Sequence, residues 1–150
     1  MASILKYLRL AADPNRLRIL LLLEQEELSV AELQEILAKG QSHISTHLAQ
    51  LKGAGLVEDR REGKNAFYRL TAPSELMELL RQAALEVPEI ESDREALRLA
   101  MRKRQDHMRR YFDELAGKFG RQYVPGRSWK GIEEALLKLM PPLVIADLGA

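Results

Sequence analysis

Apolar residues in the first part of the chain recur at the three- and four-residue spacing of helices. The run from Leu17 to Leu23 makes one helix apolar on nearly every side, which predicts a place in the centre of a small fold. Asp13 and Pro14 stand just before this run and suit the N-cap and the first helical position. We therefore expect a buried helix that begins at Pro14.

Two more helices follow at short intervals. Ser29 and Glu32 have the spacing of a capping box, which predicts a helix that stops at Gly40. A third helix over residues 41–54 ends at the glycines of residues 53–55, which can supply a left-handed turn. The residues expected on the inward faces of these two helices are Leu33, Ile36, Leu37, Ile44, Leu48 and Leu51.

The spacing of the apolar residues then changes from that of helices to that of short strands. Two short strands flank a charged turn with Gly63 at its tip, which predicts a wing over residues 58–69. A helix from Pro73 to Pro88 follows, and a capping box at residues 92–95 begins a long amphipathic helix. The apolar faces of these last two helices are Leu76, Leu79, Leu80 and Ala83, and then Leu97, Met101, Met108, Phe112, Leu115 and Phe119.

This order of elements predicts a mainly α fold with a small β-hairpin wing. It is a winged helix-turn-helix followed by a long helical C-terminal extension. We assign residues 1–87 to the winged helix-turn-helix domain and residues 88–150 to the extension. Within the extension we expect an interruption at Gly126, a short helix over residues 132–139 and a buried-strand type of run over residues 143–149.

Composition narrows the function classes. Of the 150 residues, 46% are hydrophobic, 30% charged and 5% aromatic, which is typical of a folded globular chain. The sequence has no cysteine, which excludes disulfides, thiolate metal sites and cysteine nucleophiles. No apolar run has the length of a membrane span, and the N-terminus lacks the pattern of a signal peptide. We therefore expect a cytoplasmic protein without a membrane partner.

The net charge of +1 conceals local patches. Residues 39–69 carry six basic and three acidic side chains, and residues 94–110 carry seven basic and two acidic ones. Arginines recur every four residues at Arg94, Arg98 and Arg102, which places them in one stripe of a helix. A solvated or dimer-covering face and an added DNA-backbone contact remain alternatives for this stripe.

The third helix and the wing carry the candidate functional residues. The side chains on the helix face opposite the apolar one are short, polar and uncharged, which suits contact with base edges and phosphates. The basic wing turn suits a grip on the DNA backbone. The candidate DNA-binding residues are Gln41, Ser42, His43, Ser45, Thr46, His47 and Lys52 in the helix and Arg60, Arg61 and Lys64 in the wing.

These segments resemble the ArsR/SmtB family of winged-helix repressors. Residues 41–57 (QSHISTHLAQLKGAGLV) are similar to the recognition segment of that family, residues 60–70 to its wing and residues 10–20 to its first two helices. The three motifs occur in the right order and cover about residues 4–85. The resemblance implies a transcriptional repressor that binds double-stranded DNA.

The resemblance also implies an assembly. Members of the family pair as homodimers through the first and fifth helices, here near residues 3–12 and 73–86. The two recognition helices would then enter successive major grooves of a pseudo-palindromic operator, about 34 Å apart.

The chain departs from the metal-sensing members of the family. Those members place cysteines in the segment that is residues 27–33 here, where serine and alanine stand. Others bind zinc through histidine on the fifth helix, and residues 73–86 contain no histidine. His43 and His47 have a chelating spacing, but their place in the recognition helix favours a DNA-facing role. We expect no metal and no cofactor.

The end of the chain resembles the entry to a class I S-adenosylmethionine-dependent methyltransferase, in residues 110–116 and 144–149. Because the chain ends at Ala150, after one glycine of the cofactor loop, and shows no nucleophile–base pair, we expect no enzyme activity. The alternative to a DNA-binding regulator is the inactive N-terminal fragment of a methyltransferase with a DNA-binding head. For the intact fusion, S-adenosylmethionine or S-adenosylhomocysteine would be the small-molecule effector.

Overall fold

A computed structural model of the chain describes residues 4–121. Its helices are α1 (Ile4–Ala11), α2 (Pro14–Gln25), α3 (Val30–Leu37), α4 (Gln41–Gly53), α5 (Ser74–Ala83) and α6 (Ile90–Arg121), with a 3₁₀ turn over Ala84–Glu86. Its strands are β1 (Leu28–Ser29), β2 (Val57–Glu62) and β3 (Asn65–Leu70). The predicted winged helix-turn-helix with a long C-terminal helix is confirmed. The features expected at Gly126 and at residues 132–139 and 143–149 lie outside the described residues.

Local caps fix the starts of α2 and α3 as the sequence predicts. The Asp13 carboxylate accepts hydrogen bonds from the backbone amides of Asn15 (2.9 Å) and Arg16 (3.0 Å), and Pro14 follows at the first helical position. At the start of α3, the Glu32 amide donates to the Ser29 hydroxyl (3.3 Å), and the Ser29 amide donates to the Glu32 carboxylate (2.8 Å). Both predicted N-termini are confirmed.

Two other predicted boundaries are wrong. Ala38, with φ of 52°, is the left-handed C-cap of α3, and Gly40 is the N-cap of α4 rather than a stop. The helix α6 begins at Ile90, before the capping box expected at residues 92–95, because Ile90 is buried in the core and extends the helix backwards. Ser92 then lies in the first turn, where its hydroxyl donates to a backbone carbonyl.

The sheet has three antiparallel strands in the order β1-β3-β2. The predicted hairpin of β2 and β3 is present, and its turn contains Gly63 at φ of 60°, which favours glycine. The strand β1 was not predicted, because two residues are too few to show a two-residue period. It pairs Leu28 with Tyr68 and Ser29 with Phe67, so the wing is attached to the start of α3.

The core surrounds α2, whose residues Leu17 to Leu23 are all buried. The predicted inward faces of α3 and α4 are confirmed, since each of their six apolar residues is buried. On α5, Leu76 and Leu80 are buried as predicted, whereas Leu79 is 47% exposed and does not face the core.

The residues of helix α6 are divided between two compact units of the chain. The first unit extends to Gln105, and in it Leu97 and Ala100 join the core. The buried Asp93 of this unit binds Arg18 of α2 through two hydrogen bonds of 2.6 Å. In the second unit, Met108, Tyr111 and Phe112 are more than half exposed. None of the helices within residues 4–121 is both long and apolar enough to span a membrane.

Candidate nucleic-acid interface

The helix α4 separates an apolar face from a polar one. Ile44, Leu48 and Leu51 are at most 1% exposed and anchor the helix in the core. The opposite face presents five exposed polar, uncharged side chains, which we call the α4 polar face. These residues are Gln41, Ser42, His43, Ser45 and Thr46.

The hydroxyl of Thr46 has a fixed orientation on this face. It donates to the backbone carbonyl of Ser42 at 2.8 Å, one helical turn earlier. Its proton is therefore occupied within the helix, and its oxygen can still accept a hydrogen bond from outside. An amino group of a base edge has the complementary chemistry.

His47 does not lie on the outward face on which we expected it. Its side chain turns towards the start of α2 and is only 9% exposed, so its predicted outward orientation is wrong. Its ring meets that of His43 edge to face, with centroids 4.5 Å apart, and its Nδ1 atom is buried without a hydrogen-bond partner among the described residues. The helical period alone left this residue near the border between the two faces.

The surroundings of His47 oppose its protonation. Burial lowers the pKa of His47, and although the Asp13 carboxylate raises it, the net pKa remains below the ordinary value. His43 and Arg16 add to the lowering. Burial also raises the pKa of Asp13, but its hydrogen bonds from backbone amides and the Arg16 charge prevail, so that pKa is lowered. The pair therefore favours a neutral imidazole beside a charged carboxylate.

The contacts that join α4 to the N-terminal helices were not predicted from the sequence. The guanidinium of Arg16 donates to the Gln50 side chain at 2.9 Å and also to the backbone carbonyl of Leu10. These three residues lie on α2, α4 and α1. A lone arginine in a capping segment gives no sequence signal of the contact with α4, because Gln50 lies 34 residues further along the chain.

The basic residues of the wing and of the end of α4 differ in their partners. Lys52 binds Asp59 at 2.5 Å, which ties α4 to β2, raises the pKa of Lys52 and lowers that of Asp59. Arg60 binds Glu27 (3.0 Å) and Glu62 (2.9 Å), which raise its pKa. Arg61 and Lys64 are exposed and form no ion pair within residues 4–121.

The exposed candidate residues thus fall into two groups. The α4 polar face is one group, and the wing tip with Arg61 and Lys64 is the other, with Lys52 and Asp59 joining their elements. In the described part of the chain, no three histidine, aspartate or glutamate side chains are placed to hold a metal ion.

Comparison with known proteins places the same segments in a family. Residues 13–59 match the model of the helix-turn-helix family described as bacterial regulatory protein, arsR family. The chain is 50% identical over 60 residues to the arsenic resistance transcriptional regulator ArsR1 of Pseudomonas putida, covering 39% of this chain and 47% of that one. It is 47% identical over 64 residues to the arsenical resistance operon repressor of Escherichia coli, covering 42% of this chain and 55% of that one.

A solved structure agrees with these sequence matches. Reduced HlyU from Vibrio cholerae aligns with a TM-score of 0.50 and 36% identity, over 56% of this chain and 87% of that one. The chain spans about half the length of the curated relatives that it matches. The matched residues include the capped α2, the α4 polar face and the first residues of the wing. The chain therefore belongs to the arsR family of bacterial regulatory proteins.

Proposed function

We propose that the chain is a homodimeric, sequence-specific transcriptional repressor that binds double-stranded DNA. Two exposed surfaces carry this proposal: the α4 polar face, and a wing tip whose Arg61 and Lys64 have no ion-pair partner among the described residues. Uncharged polar side chains on a helix suit base edges in a major groove, and free cations suit phosphates. The proposal includes that the repressor acts in the cytoplasm.

In this proposal α4 lies in the major groove and the wing lies along the backbone. Gln41, Ser42, His43, Ser45 and Thr46 contact base edges and nearby phosphates. Lys52, Arg60, Arg61 and Lys64 supply positive charge to the phosphates. His47 is left out of the contacting set because it is buried, and it instead supports the packing of α4 on α2.

The homodimer would form through α1 and α5. Both helices expose large apolar side chains on the described surface, with Leu5 62%, Leu8 36% and Leu79 47% exposed. Leu8 and Leu79 line one groove between the two helices. Exposed apolar residues grouped in this way mark protein interfaces, and two-fold pairing matches a pseudo-palindromic operator with half-sites about 34 Å apart.

S-adenosylmethionine or S-adenosylhomocysteine as an effector stays a prediction from sequence. The methyltransferase resemblance depends on residues 144–149, which lie outside the described residues, and residues 110–116 lie within α6. The family and the relatives reported above are regulators. A thermal-unfolding titration with each compound tests the effector, and an unchanged midpoint at saturating concentration would exclude it for this chain.

A fluorescence-anisotropy titration tests the proposed function. The labelled probe is the duplex upstream of the chain's own gene, with a scrambled duplex of equal length and composition as the control. We expect a preference of about a thousandfold for the upstream duplex at physiological salt, with two protomers for each duplex. Equal affinity for both duplexes would contradict sequence-specific repression.

A further inference from the structure

Arg104 of α6 contacts three separate parts of the winged helix. Its guanidinium donates to the Glu32 carboxylate through Nε (2.9 Å) and Nη2 (2.6 Å). The same Nη2 donates to the backbone carbonyl of Glu27 at 3.1 Å. Its central carbon lies 5.6 Å from the centroid of the Phe67 ring in β3. One side chain from the C-terminal helix thus contacts α3, the segment before β1, and the wing.

The contact with Glu32 joins Arg104 to the start of the helix-turn-helix. The same carboxylate accepts hydrogen bonds from the amide (2.8 Å) and the hydroxyl (3.1 Å) of Ser29, which cap α3. A planar guanidinium can bind a carboxylate in this forked way, whereas a lysine cannot. Arg104 therefore fixes the carboxylate that itself fixes the N-terminus of α3.

The contact with Phe67 continues into the wing. Arg60 of β2 lies over the same ring, 5.8 Å from its centroid, and is paired with Phe67 in the register of the hairpin. Arg60 also binds the Glu27 side chain, while Arg104 binds the Glu27 carbonyl. A continuous set of contacts therefore leads from α6 through Glu27 and Phe67 to the basic strand of the wing.

We propose that Arg104 is a positioning residue that sets the orientation of the wing relative to α3 and so aligns the wing for contact with DNA. This inference rests on the proposed function for its consequence, but the orientation of the wing is a property of the free protein. The neighbouring Lys103 provides a matched comparison. It also binds α3, through Glu35, yet both side chains are more than half exposed, and within residues 4–121 neither forms a hydrogen bond or ion pair with the wing.

Amide hydrogen exchange measured without DNA tests the positioning. We expect exchange over residues 57–70 to be about tenfold faster in Arg104→Ala, which corresponds to about 1.4 kcal/mol. Lys103→Ala should leave this exchange unchanged, and Arg104→Lys should give an intermediate rate because it keeps the charge but loses the fork. Equal effects of Arg104→Ala and Lys103→Ala on the wing, or equal acceleration of all amides in Arg104→Ala, would overturn the proposal.

Binding to a random-sequence duplex of about 30 base pairs, long enough for two half-sites, tests the consequence for DNA. We expect Arg104→Ala to weaken binding about tenfold and Arg104→Lys to weaken it less. Faster wing exchange with unaltered binding would overturn the role in DNA alignment. If the unmodified chain binds no duplex, the proposed function and the alignment role both fail. The exchange rates then still decide whether Arg104 orders the wing, so the two failures are distinguishable.

Discussion

Lys64 and Lys52 show how two side chains of one type differ in what they can contribute to DNA binding. Lys64 lies at the exposed wing tip, without an ion-pair partner in the described part of the chain. Lys52 already binds Asp59, so contact with a phosphate would compete with an existing ion pair. The contribution of each positive charge to DNA binding therefore depends on whether a neighbouring carboxylate already pairs with it. A count of charges along the sequence does not show this.

Thr46 and Lys64 are expected to affect different quantities. Thr46→Ala removes a base-edge acceptor, so it should reduce the preference for the upstream duplex over the scrambled one by about 1 kcal/mol. Lys64→Ala removes a phosphate contact, so it should weaken binding to both duplexes equally and reduce the salt slope by about one. Anisotropy titrations at several salt concentrations measure both effects.

Lys52→Ala is the matched control for Lys64→Ala. It should change the salt slope less, because the charge that it removes is already paired with Asp59. If Thr46→Ala weakens binding to both duplexes equally, α4 does not distinguish sequences through this residue.

The buried His47 makes stability depend on pH. Its pKa is lowered in the folded protein, so the unfolded chain binds a proton at a higher pH than the folded chain does. The free energy of unfolding should therefore decrease as the pH falls below about 6.5, until the lowered pKa is reached. The groups that face it are Asp13, His43 and Arg16, and the lowered pKa of Asp13 affects stability only at more acidic pH.

Urea unfolding at about pH 7.5 and about pH 5.5 measures this effect. We expect His47→Gln to lose less stability over this interval than the unmodified chain, because glutamine does not titrate. His107→Gln, which changes an exposed histidine of α6, should behave like the unmodified chain. The same loss of stability in His47→Gln and in the unmodified chain would contradict the assignment.

At the scale of the elements, α6 is attached to the winged helix by a buried ion pair. Arg18 of α2 and Asp93 of α6 have side chains that are 9% and 4% exposed, and the carboxylate raises the pKa of Arg18. Because both groups are removed from water, loss of either leaves a buried group without its partner. This contact places the first turns of α6 against α2.

Asp93→Asn should reduce the free energy of unfolding by about 3–5 kcal/mol, because it leaves the Arg18 charge buried and unpaired. Arg94→Ala, at the next position of the same helix, removes only the exposed pair with Glu91 and should cost less than about 1 kcal/mol. Urea unfolding measures both. Equal, small losses would show that the Arg18–Asp93 pair contributes no more than a surface pair.

At the scale of the whole molecule, the arrangement of apolar surface determines assembly. Leu79 shares a helical spacing with the buried Leu76 and Leu80, but the packing of α5 leaves it 47% exposed in a groove with Leu8. A leucine in such a position buries only part of its surface within one protomer. It can be covered by a second copy of the chain.

Leu79→Glu should shift the association equilibrium towards the monomer by about a hundredfold, because it would bury an unpaired carboxylate in the interface. Sedimentation velocity measures the shift, and the affinity for the upstream duplex should decrease with it. Leu99→Glu is the matched control, since Leu99 is 54% exposed on α6, outside the proposed interface. If Leu79→Glu weakens the dimer no more than Leu99→Glu does, the interface lies elsewhere.

The sequence by itself determined the elements whose signals are local. The caps at Asp13 and Ser29, the apolar face of α4 and the glycine turn of the wing each depend on residues within one or two turns of one another. Hydrogen bonds and helical periodicity over so short a range follow from residue order alone. For this reason the mainly helical fold, the wing and the exposed α4 polar face were all predictable.

Only the tertiary structure decided the features that join distant segments. Burial of His47 requires α2 beside α4, the strand β1 requires β3 as a partner, and the contacts of Arg104 require α6 to lie against α3 and the wing. These partners are separated by many residues, so no period or spacing indicates them. Their energies depend on burial and on the geometry of the pairs, which exist only once the chain has folded.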